Sequence, residues 1–229
     1  AIQLKPDFAM AYSNLGNILR DKGNLKEAEF SIRKAIQLKP DLFEAHSNLG
    51  NILRDTGNLK EAELYTRKAI EIKPNFVIAY YNLGNILREV GKAKEAIIYY
   101  SMGSKEEPNN ISLLINSKLH LSPIMLSNKQ IDIERSRYKE RLKEINENKN
   151  LKVYGDVNFS TYMFYLAYHN RSDDKIILEE LANTISNIKG ILNNDFDIDK
   201  ITSLNSKNDK IKVGICSDFL RESHTIGKL

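Results

Sequence analysis

Asn14, Asn48, Asn82 and Asn116 stand 34 residues apart, and they are the first side chains whose type and spacing suggest a chemistry. An amide carries both a donor and an acceptor, so a column of amides can pair with the backbone of an extended peptide whatever its sequence. A plainer reading makes them solvated helix positions or copies left by repeat duplication, since Asn17, Asn51 and Asn85 recur at the same interval. Other chemistry finds little support. His46, His120 and His169 lack metal-ligand spacing, and His46 takes a packing position filled by Tyr12 and Tyr80 in the neighbouring copies, so no metal is expected. Cys216, the single cysteine, cannot form an internal disulfide and reads as a small core hydrophobe. No dinucleotide-binding glycine loop, P-loop or nucleophile elbow occurs.

The chain that must position these groups has 229 residues, 41% hydrophobic and 28% charged, enough apolar material for a packed core. Its 34 basic and 30 acidic residues leave a formal charge of +4 with the signs interleaved. Nucleic-acid binding needs clustered cations on one face, so no nucleic-acid partner is expected. No apolar run approaches the length of about 18 residues that a membrane helix needs, and no secretory leader opens the chain. A cytoplasmic protein without a membrane partner is the expectation.

The elements follow from repetition. AIQLKPDFAMAYSNLGNILRDKGNLKEAE from Ala1 returns from Ala35 and again from Ala69, a period of 34 residues. Pro6, Pro40, Pro74 and Pro108 keep the interval, so an eroded fourth copy follows, with Lys118 where Gly16, Gly50 and Gly84 stand. Within a copy, Ala11, Leu15, Ile18 and Leu19, then Leu25, Ala28, Ile32, Ala35 and Ile36, recur at helical spacing, so each copy is a helical hairpin. Asp7 and Asp41 are expected to cap first helices, with Asp41 and Glu44 at capping-box spacing. Asn24 with Glu27 and Asn58 with Glu61 are expected to do the same for second helices, whereas Lys92 loses that cap. Gly16, Gly50 and Gly84 fall where two helices cross closely, and Gly23, Gly57 and Gly91 fall in the turn, where φ can be positive.

This pattern resembles the tetratricopeptide repeat, whose positions are matched in order by Tyr12, Leu15, Gly16, Leu19, Gly23, Ala28, Ala35 and Pro40. The resemblance implies an all-α, right-handed solenoid over residues 1–120 whose concave face is lined by first helices and by the Asn14, Asn48, Asn82 and Asn116 column. A protein or peptide is the implied partner on that face. Ala1 to Lys5 align with the end of a second helix, so the array is expected to continue upstream. The co-chaperone clamp for C-terminal carboxylates is matched at Asn17 and Asn48, but Ser13, Ile78 and Asn82 replace its cations.

Beyond the array, residues 121–192 read as a helical connector. Ile131, Ile133, Tyr138, Leu142 and Ile145 supply the buried side of a helix from Lys129 to Ile145. A polar break follows at Asn146–Asn150, then an aromatic-rich helix from Phe159, with Tyr162, Phe164, Tyr165 and Tyr168 as packing, and another helix from about Lys175 to Ile188. Residues 193–209 read as a linker, and the KIKVGICS run from Lys210 to Ser217 reads as a buried parallel strand whose sheet lies past Leu229.

KIKVGICSDFLRESHTIGKL looks like the opening of the catalytic region of the O-linked N-acetylglucosamine transferase and SPINDLY family, in which such a strand leads to Asp-Phe, a polar loop and a histidine. The connector is similar to that of bacterial members. The resemblance implies a GT-B glycosyltransferase that moves a sugar from UDP-GlcNAc or GDP-fucose to Ser or Thr hydroxyls, of which residues 210–229 are only the entry. It places His224 at the family's loop histidine, a catalytic position near the sugar, with general base as one reading of its role and an ordinary loop histidine as the other. The donor-binding lobe is not in this sequence, so no cofactor is expected here and the fragment is expected to be inactive. The second reading is a non-enzymatic tetratricopeptide scaffold that binds a partner peptide.

Overall fold

The computed structural model describes residues 8–121, 126–148, 150–152, 169 and 173–187, which carry nine helices and no strand. Six of the helices form three antiparallel hairpins: α1 (Ala9–Asp21) with α2 (Leu25–Leu38), α3 (Phe43–Asp55) with α4 (Leu59–Ile72), and α5 (Val77–Glu89) with α6 (Ala93–Glu106). Each second helix also packs on the first helix of the next hairpin, which makes a solenoid-like array.

The hairpin is set by two glycines. At the crossing, a Cβ on Gly16 would lie 2.5 Å from Ile32, one on Gly50 would lie 2.1 Å from Thr66 Oγ1, and one on Gly84 would lie 2.4 Å from the Tyr100 ring. Only a missing side chain allows that approach. In the turn, Gly23, Gly57 and Gly91 have φ of +78°, +83° and +86°, and the Gly23 N–H closes the helix end on Arg20 O at 2.8 Å.

The caps differ from the sequence expectation. α3 begins one residue later than Asp41 predicts, with Leu42 at the N-cap and no side-chain cap bond, so Asp41 and Glu44 form no capping box. Asn24 and Asn58 do occupy the N-caps of α2 and α4, but their ψ values of 64° and 59° fall short of the extended backbone that aims a side chain at the helix end. These helices are held by packing instead. Ile32, Leu49, Ile52, Leu53, Leu83, Ile86 and Leu87 are fully buried, each contributing about 1.5–3 kcal/mol of transfer free energy.

In the fourth copy α7 (Ile111–Lys118) stands at the first-helix position, capped by Asn110 Oδ1, which accepts from the Leu113 N–H at 3.3 Å. The helix that follows starts close to the second-helix register but is longer, at 20 residues. α8 (Asn128–Glu147) packs Tyr138, Leu142 and Ile145 against Ile111, Ile115, Leu119 and Leu121, and the same cluster takes in Ile177 and Leu181 of α9 (Asp174–Asn187). Ile133, expected in this core, is 41% exposed, because the buried stripe runs through Arg135, Tyr138, Leu142 and Ile145. After α8, Lys152 returns to the start of α7, donating to Asn109 O at 2.8 Å and accepting from the Ile111 N–H at 3.1 Å.

By its contacts the chain falls into two units, Ala1–Ile191 and Leu192–Leu229. The second unit, with the expected linker, the GT-B strand, Cys216 and His224, lies outside the described residues, as does the aromatic block from Phe159 to Tyr168.

Candidate functional site

The first helices α1, α3 and α5 lie side by side, and a residue on one meets the residue 35 positions later on the next. Asn48 Nδ2 donates to Ser13 Oγ at 3.3 Å, and Asn82 Nδ2 donates to Ser47 Oγ at 3.0 Å. The same step joins Arg20 Nε to Asp55 Oδ2 at 2.6 Å and brings Arg54 to 3.8 Å from Glu89. The asparagine column is therefore stitched to the helix before it. For Asn116 the residue 35 positions earlier is Tyr81 of α5 in place of serine, and Asn116 Nδ2 turns back to Ser112 O of its own helix at 2.7 Å.

The column was expected to be exposed along its length, and it is not. Asn14 is exposed and Asn48 half-buried, whereas Asn82 and Asn116 retain only 6% and 1% of their surface. The cause is packing around α5, where Tyr80, Leu83, Asn85, Ile86 and Leu87 are all buried, and around α7, where Ile111 to Ser117 all are. Asn14 and Asn48 are the accessible members.

The second asparagine column faces the other way. Asn85 Oδ1 accepts from Tyr100 Oη at 2.8 Å, inside the α5–α6 hairpin. In the preceding copy Thr66 replaces that tyrosine and donates to Ala62 O at 2.8 Å, and Asn51 Oδ1 is buried without a hydrogen-bond partner among the described residues. The two columns are equally regular in sequence, yet only the first turns toward the neighbouring first helix.

His46 is a packing residue. Its Nε2 lies 2.8 Å from Pro40 O, so that nitrogen carries the proton, and its ring stacks 5.9 Å from Tyr65. Tyr80, one repeat later, makes the corresponding bond, donating to Pro74 O at 2.5 Å. Tyr100 is fully buried inside the α5–α6 hairpin, against Gly84 and Asn85.

Sequence reasoning missed a second ladder on α2, α4 and α6. Arg33 donates to Glu29 at 3.0 Å, to Glu61 at 2.8 Å and to Tyr65 Oη at 3.1 Å, with its guanidinium 5.5 Å from the Tyr65 ring centre. Arg67 repeats the set with Glu63 at 2.8 Å, Glu95 at 2.5 Å and the Tyr99 hydroxyl. Burial works to raise the Glu63 pKa, but bonds from Arg67 and Lys92 outweigh it and hold the carboxyl below its usual range. The signal was present in the sequence as Glu and Tyr 28 and 32 residues after each arginine.

The carboxylate clamp has no footing in this face. Ser13 is buried under Asn48, Ile78 is an exposed hydrophobe, and Asn82 is committed to Ser47.

Antiparallel hairpins of one period, each with a glycine at the crossing and a left-handed glycine in the turn, define a helical-repeat protein. Two family models described as tetratricopeptide repeat match residues 43–76 and 65–98, and one described as TPR repeat matches residues 16–57. Residues 16–98 thus carry tetratricopeptide repeats. The crystal structure of MamA is similar in fold, with a TM-score of 0.53 at 22% identity over 62% of this chain and 81% of that one. The first TPR of Spaghetti (RPAP3) bound to the HSP90 peptide SRMEEVD and the Arabidopsis OM64 TPR domain each give a TM-score of 0.46, at 21% and 22% identity. Each covers 48% of this chain, and 86% and 91% of their own. Among curated proteins no relative of the chain is found.

Proposed function

We propose that the repeat array is a protein-interaction module that holds an extended peptide on the face formed by α1, α3 and α5, with Asn14 and Asn48 as the amides that meet its backbone. The observation that carries this reading is the Asn48–Ser13 bond, which fixes an accessible amide on one first helix against the next before any ligand arrives. An amide held in place loses little rotamer freedom on binding, so its hydrogen bonds contribute more of their strength. The buried Asn82 and Asn116 close the column at its other end. The test is a fluorescence-anisotropy titration with peptides selected on the wild-type chain from a displayed library. The double variant Asn14→Ala with Asn48→Ala is expected to lose about tenfold or more in affinity, equivalent to about 1.4 kcal/mol, while the array stays folded and loses only about 1–3 kcal/mol of stability for the missing donor to the buried Ser13 Oγ. Equal affinity for wild type and variant overturns the reading.

We infer further that this module serves as the acceptor-holding part of a protein O-glycosyltransferase related to the O-linked N-acetylglucosamine transferase and SPINDLY family. What supports it is the order of the sequence: repeats, helical connector, then KIKVGICSDFLRESHTIGKL with His224. The nucleotide-sugar donor, UDP-GlcNAc or GDP-fucose, would be bound by chain that this sequence does not include. The longest reading frame carrying these residues, assayed for transfer of radiolabelled sugar from each donor to lysate proteins, tests it. Transfer lost on His224→Ala or on deleting the repeats supports the enzyme. No transfer from either donor, with peptide binding retained, leaves a non-enzymatic scaffold.

A further inference from the structure

Glu44 sits in the first turn of α3, half-buried, and its Oε2 is closed off from solvent with no hydrogen-bond partner among the described residues. A buried carboxylate oxygen without a partner is costly, and native structures keep few of them. The cation Lys73 lies near the start of α3, but it rests over the Phe43 ring, 4.2 Å from its centre, and over Phe76, and makes no ion pair with Glu44 among the described residues.

The flanking copies sharpen the contrast. One repeat before Glu44 the same position is Met10 on α1, and one repeat after it is Ile78 on α5, 54% and 58% exposed. Across the three first helices this row thus offers a single carboxylate between two exposed apolar side chains. A lysine or arginine side chain has the matching form, with an apolar stem that lies along hydrocarbon and a charged head that donates to an oxyanion.

We propose that Glu44 is the docking point for a lysine or arginine of the bound partner, so that the array selects peptides carrying a basic residue. The cationic head donates to the Glu44 carboxylate, and the stem lies along Met10 or Ile78. The terminal torsion of a glutamate is broad, so turning the carboxylate of this half-buried side chain brings the unpartnered oxygen to the ligand. This selectivity is the reverse of a carboxylate clamp. It rests on the reading that the first-helix face binds a peptide.

Three fluorescein-labelled Ala/Ser decapeptides test it, with a central arginine, a citrulline of the same shape without the charge, or a glutamate, titrated against the full chain by fluorescence anisotropy. The arginine peptide is expected to bind at least tenfold more tightly than the citrulline peptide, with the glutamate peptide weakest. Glu44→Gln is expected to erase the arginine advantage while leaving citrulline binding unchanged. Equal affinity for all three peptides, unaltered by Glu44→Gln, overturns the role of Glu44 and leaves peptide binding standing. No binding by any of the three overturns this proposal together with the groove reading. A thermal melt without ligand gives a second check. Glu44→Gln is expected to melt at or above the wild-type temperature, because the orphan charge is removed, and a fall in melting temperature would assign Glu44 a structural partner instead.

Discussion

Asn82 of α5 donates its side-chain amide to Ser47 Oγ of α3 at 3.0 Å, and both side chains are buried. The bond joins the first helices of two successive repeats directly, without passing through the second helix between them. Since each repeat of such an array is stable only through its neighbours, a bond of this kind sets coupling between repeats as well as the shape of the face.

Replacing Asn82 by alanine should therefore cost stability, by about 1–3 kcal/mol, because Ser47 Oγ loses its donor while still buried. Asn14→Ala, at an exposed position, should change stability by no more than about 0.5 kcal/mol. Urea unfolding of the two variants side by side checks this. Equal stability would mean that the Ser47 bond contributes nothing to coupling.

The difference between those two asparagines marks where the sequence stopped being informative. The period, the hairpins, the crossing glycines and the turn glycines were all legible, because each depends on residues within one 34-residue copy. The burial of Asn82 was not, since it depends on how completely neighbouring elements surround α5. Asp41 misled for a local reason: Leu42 can take the N-cap at no cost in packing, as it is itself 5% exposed. The buried Arg135 in α8 went unread because a charged residue in a helical stripe is ordinarily taken as solvated, and its partners Asp173 and Asp174 come 38 and 39 residues later.

Gly84→Ala tests the crossing. The new Cβ would meet the Tyr100 ring at 2.4 Å, and Tyr100 is fully buried and held by Asn85, so the ring cannot swing out cheaply. A loss of about 1–3 kcal/mol is expected, the range of overpacked cores. In a Tyr100→Ala background the same substitution should cost far less, because the obstructing ring is gone. Thermal melts of the two single variants and the double variant complete the cycle, and additive losses would rule out the clash.

Arg135 ties α8 to the start of α9. Its side chain is 4% exposed, it lies 2.6 Å from Asp174 Oδ1, and it also bonds Asp173, which takes a second cation from Lys139. Arg135 is buried, but Asp173 and Asp174 each keep 29% of their side-chain surface and Asp173 retains Lys139, so Arg135→Ala should cost about 1–3 kcal/mol. Adding Asp173→Asn and Asp174→Asn to that variant should recover part of the loss. Hydrogen exchange over Ile177 and Leu181 reads the outcome, and protection equal to wild type in the single variant would show that α9 is held by its apolar contacts alone.

Acid should loosen the α7–α9 unit in two stages. His120 has its pKa held below 6.5, first by burial and then by the nearby Arg141, against the smaller opposing pulls of the Ser117 backbone and Glu134. A base whose folded pKa is lowered contributes stability that is complete above its unfolded value and is lost as pH falls through that value toward the folded one. The Asp173 carboxyl is held below 3.8, first by the Lys139 bond, against burial, and then by Arg135. Its contribution is present above the ordinary carboxylate range and disappears as pH falls through the lowered value. Urea midpoints should therefore decline once below about pH 6.5 and again below about pH 4, the ordinary titration ranges of the two groups. His120→Gln should flatten the upper decline only, and Asp173→Asn the lower one only. An upper decline that survives His120→Gln would assign that stage to a different group.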